Sequence, residues 1–165
     1  MCDTPGHGKL RHIAIAQLKN PLEKPSGVIF VLDSADGIPR AAEYLHDVLL
    51  TLQNALAKSG SKSRLSLLIA CNKNDLFTAM PATRIKAQLE KEITRIRDSR
   101  AKGLLDSGVV AVDAGGDEDD WLGDGGEEEF NMEMMDDAGI DVSIRSGSVE
   151  KADCNEWRKW VGSCL

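Results

Sequence analysis

A chain of 165 residues is long enough for one domain with its own apolar core. Its four cysteines (Cys2, Cys71, Cys154 and Cys164) form no CxxC pair and have no histidine at metal-ligand spacing, which argues against a disulfide framework or a zinc site. There is no secretory leader and no apolar run near the roughly 18 residues that a membrane-spanning helix needs. The net charge of −7 is unevenly spread: between Gly103 and Ile144 there are 14 Asp and Glu and no Lys or Arg, which leaves the rest of the chain at +7. The acidity therefore belongs to one segment, and the body of the protein is mildly basic.

In chain order, a loop containing Asp3-Thr4-Pro5-Gly6-His7 leads into Leu10–Leu18, where Leu10, Ile13, Ala14 and Leu18 recur at helical spacing. Asn20-Pro21 and Pro25-Ser26-Gly27 end that helix. GVIFVLD (27–33) is an unbroken apolar run, which predicts a strand buried on both faces in a parallel sheet covered by helices. Residues 39–60 read as a long amphipathic helix, with Pro39 near its start and Gly60 past its end. RLSLLIACNKND (64–75) predicts a second buried strand running straight into a polar loop, with Cys71 as a small core hydrophobe. A third helix runs from Pro81 to about Lys102, with Ile85, Leu89, Ile93 and Ile96 on one face. Its basic residues lack interleaved aromatics and form a solvated face, so no direct reading of nucleic acid is expected. From about 103 to 139 glycine and acidic residues dominate, and the stretch is predicted to be a largely disordered insertion. Within it Trp121, Leu122 and Phe130 can dock locally, and EEFNMEM can form a short strand. As a whole the insertion reads as a solvated spacer or as a docking strip for a basic partner. IDVSI (140–144) predicts a last strand and residues 153–165 a closing helix with Trp157, Trp160 and Val161. The alternation of strands and helices specifies an α/β fold with a parallel sheet.

Two motifs carry chemistry. Asn72-Lys73-Asn74-Asp75 follows a buried strand at its carboxyl end, where open α/β sheets bind ligands. A carboxylate there can accept two hydrogen bonds from the ring N–H and exocyclic amine of guanine, a donor pair that adenine lacks. Asp75 takes that role, Asn72 braces the loop, and the stem of Lys73 lies against the ring; the bland alternative is a polar turn. Asp3-Thr4-Pro5-Gly6 fits D-x-x-G, the loop that senses a γ-phosphate. Asp3 would hold a magnesium-bound water. The Gly6 N–H would approach the phosphate, and His7 stands where the attacking water is oriented. A third element, a tight turn beside the base, is matched in part by Ser146-Gly147-Ser148, where the usual form is S-A-K; a plain Gly/Ser turn fits equally.

These elements resemble a small GTPase. VIFVLDSADGIPRAAEYLHDVLL, LLIACNKNDL, IKAQLEKEITRIRDSR and EWRKWV further resemble the β subunits of the signal recognition particle receptor. The resemblance implies an Arf/Sar-like, P-loop GTPase fold that binds GTP and Mg and pairs with the receptor α subunit. It also implies indirect contact with the ribosome or translocon, and a place on the cytosolic face of the endoplasmic reticulum membrane in cotranslational targeting. G-x-x-x-x-G-K-[S/T] does not occur in these residues; PGHGKL lacks the first glycine at the required spacing and the Ser/Thr after Lys9. The family's amino-terminal strands, P-loop, switch I threonine and membrane anchor are likewise not matched. The expectation is therefore a partial GTPase domain over 1–165, truncated at its amino-terminal side and itself soluble. Strand 27–33 would lie at a sheet edge, which makes the chain prone to self-association. GTP binding would be weak or undetectable, and hydrolysis absent. An Arf/Sar-type vesicle-trafficking GTPase, a translational GTPase and a nucleotide-free α/β interaction domain are the alternatives.

Overall fold

The computed structural model describes residues 2–4, 6–20, 25–59, 64–106, 122–123 and 129–164. A 3-10 turn (Gly8–Leu10) leads into helix α1 (Arg11–Leu18), followed by β1 (Gly27–Asp33), α2 (Ile38–Ser59), β2 (Leu65–Asn72) and α3 (Ala82–Asp106). A second 3-10 helix (Met132–Asp136), β3 (Ile140–Ser146) and α4 (Asn155–Ser163) complete it. The three strands form one parallel sheet in the order β1-β2-β3. The strands and helices fall where hydrophobic periodicity predicts them, and the α/β class with a parallel, helix-flanked sheet holds.

Pleating sends alternate residues of each strand to opposite faces. Phe30 and Leu32 of β1, with Leu65, Leu67, Ile69 and Cys71 of β2, point to the face covered by α2 and α3. There they meet Leu45, Leu49 and Leu52 of α2 and Ile85, Leu89 and Ile93 of α3, all buried. Cys71 is fully buried, and desolvation pushes its thiol up to about 11. α4 lies on the second face. Its Trp157 sits against Gly147 and its Trp160 against Gly27, where an added Cβ would come within 2.7 Å and 2.9 Å of the respective rings. The two glycines are thus the seats of the two tryptophans.

β2 is buried on both faces as expected, but β1 is not. Ile29 is 39% exposed and Val31 59% exposed, because the second face of β1 carries no helix among the described residues beyond the contact with Trp160. An apolar run shows that a strand is greasy, and it does not show which face is covered.

The acidic stretch also departs from expectation at both ends. α3 continues to Asp106. Leu122, Phe130, Met132 and Met135 are buried members of the main core rather than a local cluster. EEFNMEM contributes a 3-10 helix instead of a strand, for a local reason. The Asn131 side chain accepts from the Glu133 N–H at 3.0 Å and caps the turn. Thr94 and Glu90 of α3 accept from the N–H groups of Phe130 (2.9 Å) and Met132 (3.0 Å), which docks the segment on the helix rather than on a sheet. Gly123 is held to Gln53 of α2 at 3.0 Å. Trp121 and the acidic runs at 107–121 and 124–128 lie outside the described residues.

Among the described residues β1 pairs with β2 alone, and its free edge lies beside the exposed Ile29 and Val31. An apolar edge strand is a template for pairing with another chain. Val31→Lys places a charge on that exposed face and should cost no more than about 0.5 kcal/mol of stability. Sedimentation velocity of the 165-residue chain is expected to show self-association that this substitution reduces; an unchanged distribution would clear β1 of the effect.

Candidate functional site

The site is built where the carboxyl ends of three parallel strands meet. The ladder pairs Asp33 with Asn72 and Cys71 with Ser146, so the last residues of β1, β2 and β3 end side by side. Each chain segment leaving that line is then tied to its neighbour. Ser34 donates its N–H to the Asn72 carbonyl at 2.9 Å, and Gly147 donates to the Cys71 carbonyl at 2.9 Å. Asn74 donates back to the Gly147 carbonyl at 3.1 Å.

The 72–75 loop turns sharply at Lys73, whose φ of 64° is left-handed. For a residue with a β-carbon that conformation costs about 1–2 kcal/mol. It is offset by the bond from Asn74 to Gly147 and by a turn bond from the Leu76 N–H to the Lys73 carbonyl at 3.1 Å. The reversal leaves Lys73, Asn74 and Asp75 exposed at the end of a strand buried at all but Ser66 and Asn72.

Three side chains of this loop already have protein partners. The Asp75 carboxylate accepts a short hydrogen bond from the Ser148 hydroxyl. Asn72 Oδ1 accepts from the Val149 N–H at 3.1 Å. Lys73 Nζ reaches across to Asp33 Oδ2 at 2.6 Å. Ser148 is itself fixed: it exchanges backbone bonds with Asp153 (3.0 and 2.9 Å), and its Oγ accepts from the Lys151 N–H at 3.2 Å. A carboxylate offers about four lone-pair sites, so the bond from Ser148 orients Asp75 without using up its accepting capacity.

The electrostatics follow these contacts. The Ser148 hydroxyl, ahead of weaker attraction from Lys151 and Lys73, holds the Asp75 carboxyl below its ordinary range. The bond from Lys73 does the same to Asp33, and Asp33 in turn raises the Lys73 ammonium above its own ordinary value. Both carboxylates are therefore charged at neutral pH and well into the acid range.

The structure brings together Asn72, Lys73 and Asp75 with the strand end that carries Ser146 and Gly147. The side chain that touches Asp75 belongs to Ser148, the third residue of the predicted Ser146-Gly147-Ser148 turn, and the N–H that reaches Asn72 belongs to Val149 just past it. Ser146 still lies in the ladder opposite Cys71, and Gly147 is packed under Trp157, whose Nε1 donates to the Arg145 carbonyl at 3.1 Å. Asp33 lies outside the residues that the sequence motifs single out. The signal that could have found it is a carboxylate on the last residue of one strand, next to a lysine just past the end of its neighbour. Asp3, Gly6 and His7 share no hydrogen bond with these residues among the described ones. Their hydrogen bonds stay within that segment and α1, with His7 Nδ1 accepting from the Lys9 N–H at 3.3 Å, and none reaches the 72–75 loop among the described residues. No group of three metal-ligating side chains occurs among the described residues, and Asp3 by itself does not make a cation site.

Similar proteins share this arrangement of elements. The sequence profile described as "Signal recognition particle receptor beta subunit" matches residues 1–138. The curated "Signal recognition particle receptor subunit beta" of Saccharomyces cerevisiae is 31% identical over 170 residues, covering 100% of this chain and 66% of the yeast protein. The chain thus spans just under two thirds of that relative. Among solved structures, "Signal recognition particle receptor SRb-GDP-Mg" from Chaetomium thermophilum is 37% identical with a TM-score of 0.81, over 99% of this chain and 79% of that one. The "SRb-GTP/SRX complex" from the same organism is 34% identical with a TM-score of 0.81, over 99% of this chain and 66% of that one.

Two substitutions test the geometry. Gly147→Ala drives a methyl group into the Asp153 carbonyl and Trp157, and is expected to destabilise by about 1–3 kcal/mol with a shift in tryptophan emission. Ser148→Ala removes the donor that depresses Asp75, so its carboxyl midpoint, followed by carbon NMR, should rise toward the ordinary value of about 3.9. The sign is that of a depressed carboxyl: the stabilisation is present above the ordinary midpoint and fades as pH falls through the depressed one. The variant loses the part of that dependence that the Ser148 hydroxyl supplies.

Proposed function

Since the chain belongs to the family of signal recognition particle receptor β subunits, we propose that its 72–75 loop reads a guanine base and that it serves the receptor as a guanine-nucleotide-dependent docking module. In this reading Asp75 accepts from the guanine ring N–H and amine, and Asn72 braces the loop against the 148–149 turn. The Lys73 stem lies against the ring, and the turn after β3 approaches the base edge. One observation carries it: a carboxylate pre-oriented by Ser148, held charged, and exposed at the carboxyl end of a parallel sheet. The solved relatives whose names include GDP, GTP and Mg support the same reading.

Base contacts give selectivity more than affinity. Discrimination by a bidentate pair is worth about 1–3 kcal/mol. A P-loop contributes a nest of backbone N–H groups and a lysine for the phosphates, and no G-x-x-x-x-G-K-[S/T] occurs in these 165 residues. The chain by itself therefore binds GTP weakly and does not hydrolyse it. Asp3, Gly6 and His7 are the residues it would present to a γ-phosphate. Asp3 would bind through a magnesium-held water, with phosphate oxygens and waters completing a shell this chain does not furnish. His7 would orient the attacking water.

The partner in this reading is the receptor α subunit, in line with the GTP-bound complex with SRX among the solved relatives. The place of action is the cytosolic face of the endoplasmic reticulum membrane, in cotranslational targeting, with ribosome and translocon reached only through that partner. Among the described residues no helix is long and apolar enough to cross a membrane.

Amide NMR titration of the chain tests the reading. GDP and GTP in the millimolar range are expected to shift amides at 72–76 and 147–149, and adenine nucleotides to leave them in place. Asp75→Asn exchanges a double acceptor for an acceptor and a donor, and so should transfer the preference from guanine to xanthine nucleotides. Equal responses to guanine and adenine would sink the assignment, and leave an interaction domain that works without nucleotide. Micromolar binding in calorimetry would overturn the weak-affinity part alone.

A further inference from the structure

Lys73 is the residue of the base loop whose side chain crosses to the end of β1. It starts just past the end of β2 and finishes at Asp33, the last residue of β1, with Nζ and Oδ2 2.6 Å apart. Because Asp33 and Asn72 are partners in the ladder, the four-carbon stem between the two ends bridges adjacent strand ends. Asp33 divides its two oxygens between separate tasks. Oδ1 accepts from the Ala35 N–H at 2.9 Å and shapes the turn after β1, while Oδ2 holds the lysine.

We infer that Asp33 is a positioning residue for base recognition: by tethering the Lys73 ammonium it fixes the lysine stem as an apolar bar across the ends of β1 and β2, against which a purine ring lies. This role rests on the guanine reading of the 72–75 loop. An untethered lysine samples many rotamers, and a ligand that packs on its stem must arrest them at its own expense. Here the arrest precedes the ligand. Exposed ion pairs contribute little to folding as a rule, and this one is half-exposed, with Lys73 at 53% and Asp33 at 33%. Its consequence is therefore expected in binding rather than in stability. The two charged ends of the loop also have separate partners, Asp33 for the ammonium and Ser148 for the Asp75 carboxylate, which leaves the carboxylate and the stem to meet different parts of one base.

Asp33→Asn separates the two tasks. The amide keeps an oxygen for the Ala35 N–H but presents an NH2 donor to the ammonium, so the tether breaks while the turn stays. Lys73→Met keeps an apolar stem and removes the ammonium from the other side. Dissociation constants for GDP, read from the amide titration of the chain, are expected to rise about fivefold in each variant. The double variant should be no weaker than either, because both remove one interaction. Thermal midpoints are expected to stay close to that of the unmodified chain. Unchanged GDP affinity in Asp33→Asn, or losses that multiply in the double variant, would overturn the role of Asp33. If Asp33→Asn fails to fold, Lys73→Met carries the same test: an unchanged affinity there overturns the tether. The absence of any guanine-dependent shift in the unmodified chain would remove the guanine reading itself, and this role with it.

Discussion

The parallel register of β2 with its two neighbours is the constraint on which the rest depends. It sets Asp33 opposite Asn72 and Ser146 opposite Cys71, so that three chain segments leave the sheet at one level. Every polar contact of the candidate site then follows within a few residues of that line. A register shift of one residue on either side would exchange the faces of a strand. It would bring Val31 or Ser143 into the helix-covered core and turn Phe30 or Ile144 out. The apolar packing beneath α2 and α3 therefore holds the polar geometry above it in place, and Cys71 belongs to both, with its side chain in the core and its carbonyl accepting from Gly147.

The second face is held by other means. α2 and α3 use broad aliphatic packing, whereas α4 sets two tryptophans on two glycines. Trp157 links its helix to the site through Gly147, the residue whose carbonyl accepts from Asn74 in the 72–75 loop. The contact that seats the helix and the contact that supports the loop thus share one residue. The acidic stretch supplies a comparable economy on the first face. Phe130, Met132 and Met135 complete the core around α3, while Glu90 and Thr94 accept the N–H groups this arrival exposes.

Much of this was legible from the residues. Strands and helices follow from apolar runs and helical spacing, and N-K-N-D marks the exposed polar loop at the carboxyl end of β2 because its residues are four consecutive positions. What was not legible depends on where an element stops or what lies across from it. The strand signal in IDVSI does not reveal that pairing continues through Ser146, so of the expected turn Ser146-Gly147-Ser148 only Ser148 supplies a side-chain contact to the loop, and Val149 beyond it supplies the other. The tie between Asp33 and Lys73 joins residues forty positions apart, and only the parallel register makes them neighbours. In the acidic stretch the density of charge obscured Met132 and Met135 and made Leu122 and Phe130 look like a local cluster, since composition averages over positions and a core is built from particular ones. The exposure of Ile29 and Val31 belongs to the same class, because coverage of a face is a property of the assembled layers.

The left-handed backbone at Lys73 also limits what evolution can put there. β-branched residues are strained in that conformation, whereas glycine, asparagine and aspartate adopt it at least cost. A lineage that stopped needing the lysine's chemistry would find those three the readiest replacements at position 73, and valine, isoleucine or threonine among the hardest. A lysine kept there bears a conformational cost that asparagine or glycine would lessen, so its persistence among descendants would record selection on the side chain itself.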